Sequence, residues 1–451
     1  MAHYIAIKTN IGTIEGMINL LPILLFLMSC ASETNQKAWL HQQLMEDNRI
    51  WSGRLLLLEH KLTAMSLDPY DFMRGTLNLH VQESQRIQDQ RLEFQSLHEE
   101  VLFFQIGDPH PENLSVSALS VPMQPFWADL DAATFGPWYW DLRRAGVGLY
   151  FFAQSLDCQC ADDVIDGLFD GYFSKASQDF QWRSRILTDL MEEALEEGLL
   201  HQKYHKYTNE GAFLLDEQLD EYGKGILALN SEEEEQVYSI LAKLPDSMMV
   251  LDSARRYGMG ISSKPAIRYA ISYLNQSTSE PGMILVREVL NPPVLWENTP
   301  YFSNNAERIQ KTVEWLWSDA NIDPQAQSFQ VEEQDFKVLS WSSAIQDIER
   351  LKIKEQYDAA NYNHQDLIDF SREMGILLYL NHIAVPTFDG SQSQKLLDEI
   401  IDDTLHRQQD KVLREMILQD TENLLWNYEL LQQLLIEFGN TLGMEWMGVP
   451  S

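Results

Sequence analysis

A short polar loop placed directly after an apolar run constrains this chain more than any other feature. Val101-Leu102-Phe103-Phe104-Gln105-Ile106 has the length and apolarity of an interior strand. It leads straight into Gly107-Asp108-Pro109-His110-Pro111-Glu112-Asn113, and Asp129-Leu130-Asp131 follows further along. A carboxylate just past a buried strand, with an Asn five residues on, puts Asp108 and Asn113 on one small loop. Asp129 adds a third oxygen donor, and such a set suits a hard cation: Mg²⁺ takes oxygen ligands and often keeps phosphate oxygens among them. Phosphoryl transfer needs the same groups, a carboxylate near the attacking hydroxyl and a metal that neutralises phosphate charge. The structural alternative makes Asp108 and Asn113 turn formers and Asp129 a solvated strand end.

Composition narrows the partners. The 451 residues include 68 acidic against 33 basic side chains, a formal charge of −35. This argues against a nucleic-acid binder, whose phosphate contacts need a basic face, and against adhesion to an anionic membrane surface. With 45% apolar residues and 12 Trp, 17 Tyr and 19 Phe, the chain is expected to fold, into two or three units. Three cysteines cannot make a disulfide scaffold.

Along the chain, residues 33–100 read as polar helices with a turn at Leu67-Asp68-Pro69. A second strand is expected near Phe126–Leu130, then a helix from Trp140 and a Glu-rich stretch to about 235. Ala266–Asn275 and Met283–Leu290 read as a β-hairpin, Glu307–Trp317 as a helix, and Phe329–Val331 with Phe336–Trp341 as further strands. From Asn363 to Phe438 the period is helical. Cys158-Gln159-Cys160 lacks nearby ligands for a metal, and free thiols are expected there.

The Gly-Asp-x-His-x-x-Asn and Asp-x-Asp pattern resembles the catalytic and metal-binding loops of aminoglycoside and choline kinases, within the protein-kinase-like fold. The resemblance implies Asp108 as catalytic base, Asn113 and Asp129 as metal ligands, Asp131 as a further group at the metal, and Asp141 as a brace for the loop. His110 and Arg74 would support it structurally. Taken together, Phe72-Met73-Arg74-Gly75, Gly107–Asn113, Asp129–Asp131 and Gly136–Arg144 are similar to the bacterial family called domain of unknown function 2252, over most of residues 55–385. The fold implied is α+β, a two-lobe aminoglycoside-phosphotransferase-like architecture with a helix-rich large lobe. Mg²⁺ and ATP would be its cofactors, and an unidentified hydroxylated molecule or side chain the acceptor.

Such a fold also needs a glycine-containing hairpin over the phosphates and a cation on the adjacent strand. Arg255-Arg256-Tyr257-Gly258-Met259-Gly260-Ile261-Ser262-Ser263 is the candidate hairpin, with Gly258, Gly260, Ser262 and Ser263 at the nucleotide and Arg287 as the cation. Arginine stands where the family pattern has lysine, and its planar fork is not a point charge. Glu307 or Glu314 is expected to pair with Arg287. A surface β-hairpin with no nucleotide is the alternative. The hairpin follows the catalytic loop instead of preceding it, which implies a circular permutation. On that reading residues 31–245 and 346–451 form the large lobe and 246–345 the small β-rich lobe, with Met374–His382 packed near 101–113.

The first thirty residues read as a signal peptide. Met17–Cys30 holds a short apolar core ending in Leu27-Met28-Ser29-Cys30, which resembles a bacterial lipobox, with Cys30 the lipidated residue. The expected place is the bacterial envelope, lipid-anchored at the outer membrane on its periplasmic side or surface, with a cytoplasmic enzyme as the alternative. Two functions follow. One is a Mg-ATP-dependent phosphotransferase, or a nucleotidyl transferase using the same pocket. The other is a non-catalytic, lipid-anchored binding or scaffold protein with a degenerate pocket.

Overall fold

The protein, seen here as a computed structural model, is described over residues 33–86, 98, 100–292, 301–317 and 321–444. Cys30 and the apolar run before it lie outside the described residues. The chain opens with a helix over residues 33–48 (α1), followed by α2 (Leu55–Met65), α3 (Pro69–Gly75) and α4 (Leu77–Arg86). Asp68 starts α3 by accepting from the Asp71 amide, and Pro69 occupies the first turn, where no amide proton is missed. Four short strands come next: β1 (Leu102–Gln105), β2 (Leu114–Ser117), β3 (Gln124–Trp127) and β4 (Thr134–Pro137). β1 pairs antiparallel with β4, and β2 with β3.

Helices α5 (Tyr139–Ser155), α6 (Ala161–Phe173), α7 (Arg185–Leu199) and α8 (Gln202–Tyr207) follow, then the two-residue strands β5 (Thr208–Asn209) and β6 (Ala212–Phe213). Next come β7 (Gly225–Leu227), α9 (Ser231–Leu241), β8 (Met248–Tyr257), β9 (Arg268–Asn275) and β10 (Pro281–Glu288). α10 (Asn305–Leu316), β11 (Gln327–Val331), β12 (Gln334–Ser340) and β13 (Ile345–Asp347) lead to α11 (Arg350–Asp358), α12 (His364–Ala384), α13 (Ser393–His406) and α14 (Gln409–Phe438). The fold class is mixed α+β, as expected.

One six-stranded antiparallel sheet, ordered β11-β12-β10-β9-β8-β7, sits against a largely helical body. It extends beyond the 246–345 segment, because β7 also belongs to it and α9 packs on it. Side chains alternate across a strand. Tyr269, Ile271, Ile284, Val286, Phe336 and Val338 form one apolar face, covered by Val237 and Ile240 of α9. α9 itself begins with a capping box in which Asn230 and Glu233 satisfy each other's backbone amides. The intervening residues Arg268, Arg287 and Lys337 therefore project from the opposite face, and they lie side by side: Arg287 is in register with Arg268 on β9 and with Lys337 on β12.

The body is held by one continuous core that joins α1–α7, β1–β4 and α11–α14. α6 and α12 approach so closely that a Cβ on Gly375 would stand 2.1 Å from the Leu168 carbonyl oxygen. One other expectation changes. Cys158 and Cys160 form a disulfide, so these are not free thiols; their Cα atoms are 5.2 Å apart in the turn between α5 and α6, within bridging reach. Alkylation followed by mass mapping should leave both residues unlabelled until a reductant is added, and labelling of both beforehand would refute the bridge.

Candidate functional site

The loop after β1 is shaped before any ligand is considered. Gly107 has φ +83°, and a Cβ there would lie 2.3 Å from the Ala132 carbonyl oxygen, so both its conformation and its neighbour require glycine. Asp141, in the first turn of α5, accepts from the amides of Ile106 (2.8 Å) and Gly107 (2.9 Å). His382 Nε2 of α12 lies 3.1 Å from the same carboxylate, and its Nδ1 is 2.7 Å from the Tyr172 hydroxyl. Met374–His382 thus belongs to a helix that packs on the strand and loop of residues 102–107. The aromatic ring of Phe103 also faces His382.

Asp108 and Asn113 are closed into one turn. The Asn113 amide nitrogen Nδ2 donates to the Asp108 carbonyl at 2.8 Å, and the His110 amide donates to the same oxygen at 2.9 Å. The Asn113 side-chain oxygen, an acceptor, has no hydrogen-bond partner among the described residues. The Asp108 carboxylate receives Arg144 Nε on one oxygen at 2.7 Å. Its other oxygen is 3.8 Å from His110 Nε2, too far for a hydrogen bond. Burial pushes the Asp108 carboxyl above its usual range, partly offset by Arg144 and reinforced by Asp129. Burial, with Arg74 and Arg144 nearby, holds His110 neutral. Arg74 sits beneath the loop, paired with Glu112 at 2.5 Å and with Asp71 at 3.4 Å.

Arg144 was not singled out from the sequence, yet it organises this corner. Fully buried on α5, it also reaches the Met73 carbonyl (2.8 Å) and His80 Nδ1 (3.2 Å). His80 Nε2 stands 3.2 Å from Asp420 of α14, which Arg143 grips with two bonds at 2.7 and 2.8 Å. Burial lowers His80 to about 4, so it stays neutral, whereas Asp420 is held at about 2 against its burial by Arg143 and His80.

Asp129 and Asp131 meet the sheet. Arg287 Nη2 donates to Asp129 at 2.7 Å and also to Asp131, and Lys337 Nζ lies 3.1 Å from Asp129 and 2.8 Å from Asp131. Arg287 therefore pairs with the Asp-x-Asp loop, and the expected pairing with Glu307 or Glu314 is overturned. Glu307 accepts from the Ser303 amide and Glu314 pairs with Lys311. Lys337 supplies a lysine after all, from the strand beside the one expected. Burial opposes charge at Asp129, but Arg287 and Lys337 hold its carboxyl well below the usual range. Arg268 is the third cation of the row. Its Nη2 donates to Ser263 Oγ at 2.8 Å, while its Nη1 has no partner among the described residues. Burial and the neighbouring Arg287 lower Arg268 to about 9. Arg308 of α10 pins the intervening loop through the carbonyls of Leu130 (3.2 Å) and Ala133 (2.9 Å).

A cavity of about 700 Å³ gathers Asp108, Asn113, Asp129, Asp131, Ser262 and Ser263 in its wall. Gly258 (φ +80°) and Gly260 (φ +69°) shape the β8–β9 loop but do not line the cavity. Arg287, Lys337 and Arg268 stand behind Asp129 and Asp131, outside the wall. Among the described residues no three of His, Cys, Asp or Glu converge as a metal cluster. The oxygens of Asn113, Asp129 and Asp131 are nevertheless hard donors, and the two carboxylates already hold positive charge, so the donor set fits Mg²⁺ by substitution for a side-chain cation.

The family model described as an uncharacterized protein conserved in bacteria, domain of unknown function 2252, matches residues 56–206. That segment runs from α2 into α8 and contains the Asp108 loop, Asp129, Asp131 and Arg144. Neither the curated proteins nor the solved structures contain a match to the chain.

Proposed function

We propose that the chain is a Mg-ATP-dependent phosphotransferase of protein-kinase-like, circularly permuted architecture, acting on a hydroxyl acceptor. One observation carries the reading: a carboxylate–amide loop (Asp108, Asn113) and an Asp-x-Asp pair backed by three in-register cations surround a single cavity. Asp129 and Asp131 separate Arg287 and Lys337 from the cavity, so a cation that took over the two carboxylates would leave these side chains for phosphate oxygens. Asn113 and Asp129, with Asp131 beside them, would hold Mg²⁺, which supplies neutralisation of the phosphate charge when bound. Arg287 and Lys337 would then be free to meet phosphate oxygens, with Arg268 beside them and Ser262 and Ser263 at the cavity edge.

In the transfer step the acceptor hydroxyl oxygen bonds to the γ-phosphorus as the bond to the β–γ bridging oxygen breaks. ADP leaves with that electron pair, and the hydroxyl proton passes to the Asp108 oxygen not held by Arg144. Arg144 fixes the direction of this carboxylate, and burial keeps its proton affinity above that of an exposed Asp.

The same reading places the chain in the cell envelope on a Cys30 lipid anchor, and a disulfide at Cys158–Cys160 is in keeping with an oxidising compartment. A second reading, a lipid-anchored binding protein without catalysis, is favoured by the way Asp129 and Asp131 are closed onto Arg287 and Lys337. Thermal unfolding separates the two. Mg·ATP at millimolar concentration should raise the melting temperature, by an amount that grows with ligand concentration over Kd, and Asp129→Asn should abolish that rise. No rise in the native protein would leave the binding protein as the better account.

A further inference from the structure

The cavity has a second wall, built by the N-terminal helices. Asp47 from α1, Trp51 after it, Lys61 from α2 and Asn78 from α4 line it together with Gly75 and Leu77. Lys61 is 4% exposed, and its Nζ donates to Asn48 Oδ1 at 2.6 Å. An ammonium has three donors, and among the described residues no carboxylate is within ion-pair distance of this one. Asp47 accepts from Asn78 Nδ2, and it likewise has no cation in ion-pair distance among the described residues. The Asn78 side-chain oxygen is buried without a partner there. An acid and a base thus stand near one another in a cavity wall, sensed by each other yet unpaired. Burial lowers Lys61 to about 8 and raises the Asp47 carboxyl, the cost of leaving each charge without a counter-ion.

This wall adjoins Asp108. The α3–α4 turn that carries Gly75, Leu77 and Asn78 is tied to Asp108 through Arg144, which holds Met73 on one side of the turn and His80 on the other. Among the described residues Lys61 is the one basic residue of this wall, and Asp47 its one carboxylate. At this wall a purely anionic ligand would leave Asp47 without a counter-ion, and a purely cationic one would leave Lys61 buried and unpaired. We infer that the Asp47–Lys61 wall binds a dipolar, hydroxylated small molecule, an amino acid in chemical class, with its ammonium at Asp47 and its carboxylate at Lys61. Trp51, 2% exposed, offers the apolar surface between them. The fate of the ligand's hydroxyl rests on the phosphotransfer reading, but binding at the two charges does not.

Three probes that share one hydroxymethyl group test this: L-serine carries both charges, ethanolamine only the cation and glycerate only the anion. Calorimetric titration of the full chain, with and without Mg·ADP, should give serine an affinity about tenfold above either single-charge probe. Asp47→Asn should erase the advantage over glycerate, and Lys61→Met the advantage over ethanolamine. Equal binding of all three, or ethanolamine matching serine, would overturn the inference, as would no binding of any probe by a protein that Mg·ADP still stabilises. Serine preference without any response to Mg·ADP would keep the dipolar site and remove the phosphotransfer reading instead. The probe ranking on the unaltered protein decides the matter even where a variant fails to fold.

Discussion

Arg144→Met is expected to destabilise the protein by about 3–5 kcal/mol, the cost of breaking a buried ion pair from one side. Arg144 is fully buried, and Asp108 is 8% exposed. Without the guanidinium, the Asp108 carboxylate keeps its burial and loses its cation, while the Met73 carbonyl and His80 lose a donor. Asp108→Asn in the same background removes the stranded charge, so the double variant should recover much of the loss, and a double-mutant cycle measures the coupling. The pH dependence has a definite sign. Burial already holds the Asp108 carboxyl above its unfolded value, so its contribution is present below the ordinary carboxylate range and is lost as pH rises through the raised value. Removing Arg144 raises that value further. The gap in urea midpoint between native protein and Arg144→Met should therefore widen toward neutral pH and narrow in mild acid. A gap constant with pH would mean that the cost comes from lost packing and not from the Asp108 charge.

How far the site was legible follows from how local each part of it is. The run Val101–Ile106, the glycine at 107 and the Asp108–Asn113 turn are contiguous, and their roles follow from steric and hydrogen-bonding rules over a few residues. Asp141 was legible only through the family resemblance, since it reaches the amides of Ile106 and Gly107 from far along the chain. Lys337 was not, because it reaches Asp129 only through the pairing of β10 with β12, and register is a property of two distant segments. A signal did exist. Lys337 alternates with Phe336 and Val338, and Arg268 with Ile267 and Tyr269, so each places a cation on the face opposite the apolar one. Arg143 and Arg144 inside the apolar helix after Trp140 carried the same message, since a charge in a buried helix needs a partner. Glu307 and Glu314 looked like partners for Arg287 by spacing alone. The sheet's alternation instead turns Arg287 away from α9 and onto the Asp-x-Asp loop. The contribution of α14 was hidden too, because Asp420 lies far along the chain from the His80 and Arg143 it joins.

Lys337→Met is expected to change the response of the site to Mg²⁺ more than any other single substitution. In the native protein Arg287 and Lys337 together neutralise Asp129 and Asp131, so the metal alone must displace side-chain cations and gains little. Phosphate removes that obstacle by giving the displaced cations a partner, which is why Mg·ATP should stabilise where Mg²⁺ alone does not. Lys337 is 2% exposed, whereas Asp129 is 31% exposed. Losing the lysine deletes hydrogen bonds to charged groups, worth about 1.5–3 kcal/mol in a buried setting, with the lower figure favoured because Asp129 is partly solvated. It also leaves two carboxylates facing one guanidinium. Mg²⁺ without nucleotide should then restore stability, by about 2.7 kcal/mol at a hundredfold excess over Kd, with NaCl of equal ionic strength separating binding from screening. Melting curves of both proteins with Mg²⁺ alone, NaCl alone and Mg·ATP give the full comparison. If the variant ignores Mg²⁺ as the native protein should, Asp129 and Asp131 are not metal ligands, and their bonds to the sheet are purely structural.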